Sequence, residues 1–271
     1  MIANTGDDDE FWGLLVCPDV DAVIYRLAGV FNEEVGYGQK GETFHALDAL
    51  ERLGEKTWFH IGDKDLATHV LRAEMLRRGA TLTEASLELC RRFGLRTRVL
   101  PMSDQPVRTR CITARGPFTL QEYFVRERLE PPLIGIEFDG VDKARPTSAV
   151  VRALDEADLV VIGPSNPVIS IDPIVRVVEP ALRRERTVAV TPLVAGAALK
   201  GPTVEMMRAL GLEASPVEVA RRYRDIAAGF VVDEQDRELG PAIEELGYRV
   251  TITRTVMDDG GRRLAAALLG L

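Results

Sequence analysis

Histidine and cysteine are scarce in this chain, with three of each among 271 residues. His45, His60 and His69 form no HExxH or HxH pair, and Cys17, Cys90 and Cys111 form no CxxC pair. A zinc site built on such spacings is therefore excluded, and so is a disulfide framework. The thiols read as buried and free, as in a reducing cytosol. No GxGxxG and no GxxxxGK[ST] loop occurs, so the common dinucleotide and P-loop phosphate cradles are missing. Three scattered histidines support no Ser-His-Asp arrangement. Long apolar runs are missing too. The stretch Leu264 to Leu271 falls far short of the roughly 18 residues that span a bilayer. The opening Met1-Ile2-Ala3-Asn4 runs into Asp7, Asp8, Asp9 and Glu10, and lacks the basic residues with which secretory and mitochondrial signals begin. Cations are in deficit, 34 Lys and Arg against 42 Asp and Glu, a net −8. That balance excludes a general nucleic-acid binder, whose phosphate affinity needs clustered positive charge. A cytoplasmic protein with neither a membrane nor a nucleic-acid partner is expected.

What is present is an ordinary globular composition, 46% hydrophobic and 28% charged, with no internal repeat. In the first half, helices are expected over 43–53, 65–78 and 83–93 from apolar residues at helical spacing. Thr81 and Glu84 form a capping box before the third. Thr57–Ile61, Arg96–Leu100, Val107–Ala114 and Gln121–Arg126 read as short strands, with Arg115-Gly116-Pro117 as a turn. The second half alternates more regularly. Helices over 148–156, 172–184, 204–210, 216–227, 235–246 and 259–269 interleave with strands 158–162, 187–190, 230–232 and 249–253. Strands alternating with helices of roughly ten residues mean βαβ units and a mostly parallel sheet. The expected fold is α/β, with ligands bound in loops beyond the carboxyl ends of strands.

Four such loops carry the chemistry. Asn4-Thr5-Gly6-Asp7-Asp8 offers adjacent carboxylates that suit a hard cation such as magnesium, or a solvated acidic turn. Asp19 and Asp21, after Cys17-Pro18, are placed to cap a helix start. In Gly62-Asp63-Lys64-Asp65, Asp65 is an expected N-cap and Lys64 a cation for an anionic ligand, with His69 one turn on. The run Gly163-Pro164-Ser165-Asn166-Pro167 follows the expected buried strand 158–162. It is rigid and can turn backbone N–H groups and two short polar side chains toward a phosphate. Lys200, in the loop after strand 187–190, is a further phosphate contact.

Taken together and in order, Asn-Thr-Gly-Asp-Asp (4–8), Phe-Trp-Gly-Leu (11–14), Cys-Pro-Asp-Val-Asp (17–21), Gly-Glu-Thr (41–43), Gly-Asp-Lys-Asp-Leu-Ala-Thr-His (62–69) and Gly-Pro-Ser-Asn-Pro (163–167) resemble the 2-phospho-L-lactate transferase family of deazaflavin coenzyme F-420 biosynthesis. The resemblance implies a Rossmann-like nucleotide-binding core over 1–42 and 130–271, with a helical and antiparallel insertion over 43–129. It implies attack by the ribityl hydroxyl of a deazaflavin precursor on an acyl-diphospho-guanosine, lactyl or enolpyruvyl, with GMP leaving and magnesium as the cation. Asp7 and Asp8 would hold the metal and position the hydroxyl, with Asp8 nearest it. Asn4, Thr5, Gly6, Asp63, Lys64, His69, Gly163, Ser165, Asn166 and Lys200 would bind substrate. A homodimer is a reasonable expectation for an enzyme of this kind. Lys64 stands where many members carry Arg, and a Lys makes no planar bidentate or stacking contact. Asp172 stands where Gly is common. Members usually carry a Gly-Gly-Val-Gly-Gly-Ala-Lys-like loop a few tens of residues before the Asn-Thr-Gly-Asp-Asp motif, and a form without it is expected to be less stable and weakly active. The alternatives are a non-catalytic nucleotide-binding regulator of the same fold and an inactive fragment.

Overall fold

The computed structural model describes residues 1–198 and 201–270. They form two compact units, one of residues 1–151 with 176–178, the other of residues 152–175 with 179–271. This division runs elsewhere than the one expected, because residues 1–42 belong to the same unit as 43–129.

The first unit begins with β1 (Ile2–Ala3), then the hairpin β2 (Asp9–Phe11) and β3 (Leu14–Val16). Trp12 and Gly13 turn that hairpin, both with positive φ, the backbone twist that two-residue hairpin loops require. Helices α1 (Pro18–Leu27), α2 (His45–Arg52), α3 (Asp63–Arg77) and α4 (Leu82–Arg92) follow. Proline suits the first position of α1, where no N–H is needed. The expected capping box is present on α4, with the Thr81 side chain accepting from Glu84 N and the Glu84 carboxylate accepting from Thr81 N. Then come β4 (Leu100–Pro101), parallel to β1, and the antiparallel sheet of β5 (Arg108–Thr113), β6 (Gly116–Thr119) and β7 (Leu133–Asp139), with β5 central. The core of this unit joins Val20, Ile24 and Tyr25 of α1 to Leu82, Leu89 and Cys90 of α4 and to Ala3 of β1.

Several first-half expectations are corrected. Residues 57–61 form no strand. Phe59 instead stacks on Phe11, ring centroids 4.0 Å apart and 4° from parallel, with Trp58 edge-on to both. Aromatic packing has overridden strand propensity here. Residues 122–126 form a π-helical turn, not a strand. The strand partnering β5 is β6, so Gly116 and Pro117 pair in the ladder and the turn falls at Ala114-Arg115. The expected strand 96–100 shrinks to β4.

The second unit matches its expected alternation more closely. After α5 (Ser148–Asp155) come β8 (Val160–Ile162), a π-turn at Pro167–Ile171, α6 (Asp172–Val178), β9 (Thr187–Val190), the small hairpin β10 (Leu193–Val194) and β11 (Ala197–Ala198), α7 (Thr203–Ala209), α8 (Pro216–Tyr223), β12 (Gly229–Val232), α9 (Gly240–Glu244), β13 (Arg249–Ile252) and α10 (Arg262–Leu269). Strands β13, β12, β9 and β8 lie side by side in that order, all parallel. Val231 sits between Val190 and Thr251 in the register. This is the parallel sheet the alternation implied, and β9 and β12 are buried at every residue, as a covered parallel sheet demands. Leu264 and Leu268, one helical turn apart on α10, pack against Val188, Val190 and Val231. The expected buried strand 158–162 is instead an edge strand, with Val161 exposed. Among the described residues, no helix is long and apolar enough to cross a membrane.

Candidate functional site

The Asn4–Asp8 loop leaves the carboxyl end of β1, which is fixed by Leu100 N donating to Met1 O and Met102 N to Ala3 O. Asn4 organises the loop. Its Oδ1 accepts from Gly6 N at 2.8 Å, and its Nδ2 donates to Asp7 Oδ1 and to Asp19 Oδ2. Thr109 N donates to Gly6 O at 2.8 Å, tying the loop to β5. The short polar turn therefore exists because one amide side chain replaces missing backbone partners, and it draws Asp7 and Asp19 together.

Burial and mutual repulsion favour the neutral forms of these acids. Burial pushes the Asp7 carboxyl well above its usual range, with the Asp19 and Asp8 charges adding to it. Burial also raises Asp19. Asp8 is pushed up to about 8 by burial, which the Arg108 charge, a hydrogen bond from the Cys17 thiol and the Arg72 charge offset only in part. Asp8 Oδ1 is buried without a hydrogen-bond partner among the described residues. An orphaned carboxylate oxygen among crowded acids is the donor set that a hard, oxygen-seeking ion fits. Asp7 and Asp8, the acids assigned to the metal from sequence, both stand in this group.

Asp19 and Asp21, expected as caps, do not cap α1; the helix starts at Cys17 with no side-chain cap. Asp21 instead pairs with Arg72, a fully buried guanidinium from α3. Arg72 also donates to Leu15 O at 3.3 Å and to His69 Nδ1 at 3.3 Å. The His69 Nε2 edge faces Asp65 Oδ1 at 3.5 Å, and Tyr25 OH donates to that oxygen at 2.6 Å. Burial pushes Asp65 up, but His69, Tyr25 and Arg72 outweigh it and hold the carboxyl below its ordinary range. Asp65, His69 and Arg72 follow one another at helical spacing, so α3 presents them on one face. Ligand atoms of Asp21, Asp65 and His69 come within 4.8 Å of one another. Arg72 already neutralises Asp21 there, and an imidazole is a poor magnesium ligand.

The start of α3 also differs from expectation. Gly62, not Asp65, is its N-cap, and Glu42 supplies the missing acceptors to Lys64 N at 2.9 Å and Asp65 N at 3.0 Å. A Cβ at Gly62 would collide with the Glu42 carboxylate, so that glycine makes room for the cap. Asp63 caps α2: its carboxylate accepts from Thr43 Oγ1, His45 N and Ala46 N, and the Thr43 hydroxyl leads the contacts that hold it below the usual range. Lys64 Nζ donates to Lys40 O at 2.6 Å.

Beside these acids lies a cavity of about 470 Å³ within the first unit. Asp19, Asp21, Asp65 and His69 contribute to it, with Tyr25, Tyr37, Trp58 and Phe59 as aromatic walls. Of the residues assigned to the site from sequence, His69 lines it. Asn4, Thr5, Gly6, Asp7 and Asp8 stand behind Asp19 through Asn4. Gly163, Ser165 and Asn166 belong to the second unit. Asn166 Oδ1 there accepts from Val168 N and Ile169 N, so those amides are occupied, while Ser165 is exposed and a Cβ on Gly163 would meet open space. Lys200 lies outside the described residues.

A family profile described as 2-phospho-L-lactate transferase CofD matches residues 1–245. The chain belongs to this family. The 2-phospho-L-lactate transferase of Methanothermobacter thermautotrophicus is 38% identical, over 100% of this chain and 88% of its own length. That of Methanosarcina acetivorans is 35% identical over 100% and 90%. The phosphoenolpyruvate transferase of Thermobifida fusca is 38% identical over 98% and 84%. Among solved structures, a UPF0052 family protein from Bacillus halodurans superposes with a TM-score of 0.58 over 96% of this chain and 85% of its own, at 14% identity. That likeness supports the α/β fold alone. Within the transferase family, the residues that sequence reasoning missed are Arg72, Arg108, Tyr25 and Glu42. The signal for Arg72 was available: Asp65, His69 and Arg72 form a polar stripe on one helical face. Glu42 stands in the Gly-Glu-Thr motif, which marked the residue but not its role, because that role depends on a contact across 22 residues.

Proposed function

We propose that this chain transfers a phospholactyl or phosphoenolpyruvyl group from an acyl-diphospho-guanosine to the ribityl hydroxyl of a deazaflavin precursor in coenzyme F-420 synthesis, releasing GMP. The observation that carries this reading is the link through Asn4. One amide joins Asp7, in the buried acid group, to Asp19, which lines an aromatic-walled cavity. Planar rings favour such walls. The polyhydroxyl chain of the acceptor would then run toward carboxylates able to accept from it.

Phosphoryl transfer needs positioning and charge stabilisation more than covalent help. In this reading the ribityl oxygen forms the new P–O bond, the bond to the GMP oxygen breaks, and Asp8 accepts the hydroxyl proton. Asp7 and Asp8 would hold magnesium, which when bound supplies Lewis-acid stabilisation of the charge on the phosphates. Arg72 and Arg108 keep Asp21 and Asp8 from an uncompensated negative field.

The test is mass spectrometry of reactions containing the chain, magnesium, the deazaflavin precursor, and lactyl- or enolpyruvyl-diphosphoguanosine in separate tubes. A phosphodiester product with equimolar GMP is expected, and the productive tube names the acyl group. A folded chain that makes no product in either tube overturns the reading.

A further inference from the structure

The segment after the π-turn carries an unusual backbone. Arg128 and Leu129 are consecutive non-glycine residues in the left-handed region, with φ of 53° and 62°. Such a conformation strains a residue that carries a Cβ and persists only where surroundings enforce it. Here the enforcement is visible. Glu127 N donates to Glu122 O at 2.8 Å, Leu129 N to Tyr123 O at 2.9 Å, and the Tyr123 hydroxyl to Pro131 O at 3.0 Å. The result is that Arg128 lines the cavity. Among the described residues lining it, Arg128 alone carries a permanent positive charge. Among the described residues it has no carboxylate partner, whereas its neighbour Arg126 is paired with both Glu122 and Glu127. The cavity is therefore polarised. Of its charged lining residues, Asp21 and His69 are buried, Asp19 and Asp65 are partly buried, and Arg128 is exposed.

We propose that Arg128 is a specificity-determining residue that binds the carbonyl-rich edge of the planar heterocycle of the acceptor and so fixes its direction in the cavity. The inference rests on the functional reading above. A guanidinium donates in a planar fork that matches paired acceptors on a ring edge. Carboxylates at the other end accept from hydroxyls and repel an electron-rich edge. The acceptor consequently enters with its hydroxylated chain toward Asp19 and Asp21 and its ring toward Arg128.

The strain provides a test that separates binding from folding. Glycine is at ease with positive φ, so Arg128→Gly relieves the backbone while removing the cation. Calorimetric titration of the full chain with the deazaflavin precursor is expected to show binding weakened about tenfold in R128G, with a melting temperature equal to or above that of the wild type. In turnover, KM for the precursor rises about tenfold while kcat and the KM for the acyl-diphospho-guanosine stay within twofold. Arg128→Lys, which keeps charge but loses the fork, falls between. Wild-type binding with R128G unchanged overturns the inference alone, as does an effect confined to the donor. Failure of the wild-type chain to bind the precursor overturns the functional reading and the inference together.

Discussion

Replacing Asp8 with Asn should stabilise this protein while disabling it, and by an amount that depends on pH. In the folded chain the Asp8 carboxyl is raised from an ordinary 3.8 to about 8, chiefly by burial. The folded state therefore binds the proton more tightly than the unfolded state does. The stabilisation that this proton gives is complete below about pH 4 and is lost progressively as pH rises toward 8, where both states are ionised. Each pH unit in that window costs about 1.4 kcal/mol, so at pH 7 the wild type has lost about 4 kcal/mol relative to its acid form at this one site. Asn is neutral throughout and does not suffer that loss. Some of the gain is returned, because the Cys17 thiol and Arg108 lose a charged partner. A net gain of about 2 kcal/mol raises the melting temperature of a chain this size by roughly 4–8 °C. The assay is differential scanning fluorimetry of both proteins from pH 4.5 to 8.5 with a chelator present. The difference in melting temperature should grow with pH up to about 8 and level off above it; a difference that stays constant across the range refutes the burial argument. Added magnesium at pH 7.5 should then raise the melting temperature of the wild type and leave D8N unmoved.

Other perturbations have calculable outcomes. Arg72→Met leaves the Asp21 carboxylate buried without its partner and should cost about 3–5 kcal/mol in chemical denaturation; an effect below 1 kcal/mol would mean that Asp21 finds another cation. Leu264→Ala removes the side chain that α10 packs on Val188, Val190 and Val231 and should cost about 2–5 kcal/mol, seen as a lower denaturation midpoint at an unchanged slope. Thr81→Ala breaks the capping box of α4 and should cost about 1 kcal/mol with no change in KM for either substrate.

The sequence by itself determined the α/β class, the alternation of the second half and the capping box of α4. These are local properties. The valine-rich run of β9, the spacing of Leu264 and Leu268, and the Thr81–Glu84 pair each state their role within a few residues. It also determined the family, because several short motifs occur in a fixed order. Only the tertiary structure decided what the acidic residues do. Asp19 and Asp21 look like helix caps from their neighbours, yet one meets Asn4 and the other meets Arg72, 51 residues away. Asp63 and Asp65 both stand in a helix start, but the first caps a different helix and the second turns inward to Tyr25 and His69. The apolar run 57–61 could pair or pack, and Phe11 decided it for packing. A carboxylate has no preferred partner in sequence; its role is set by whichever donor or cation the fold brings within about 3 Å of it, and that distance is a property of the folded chain.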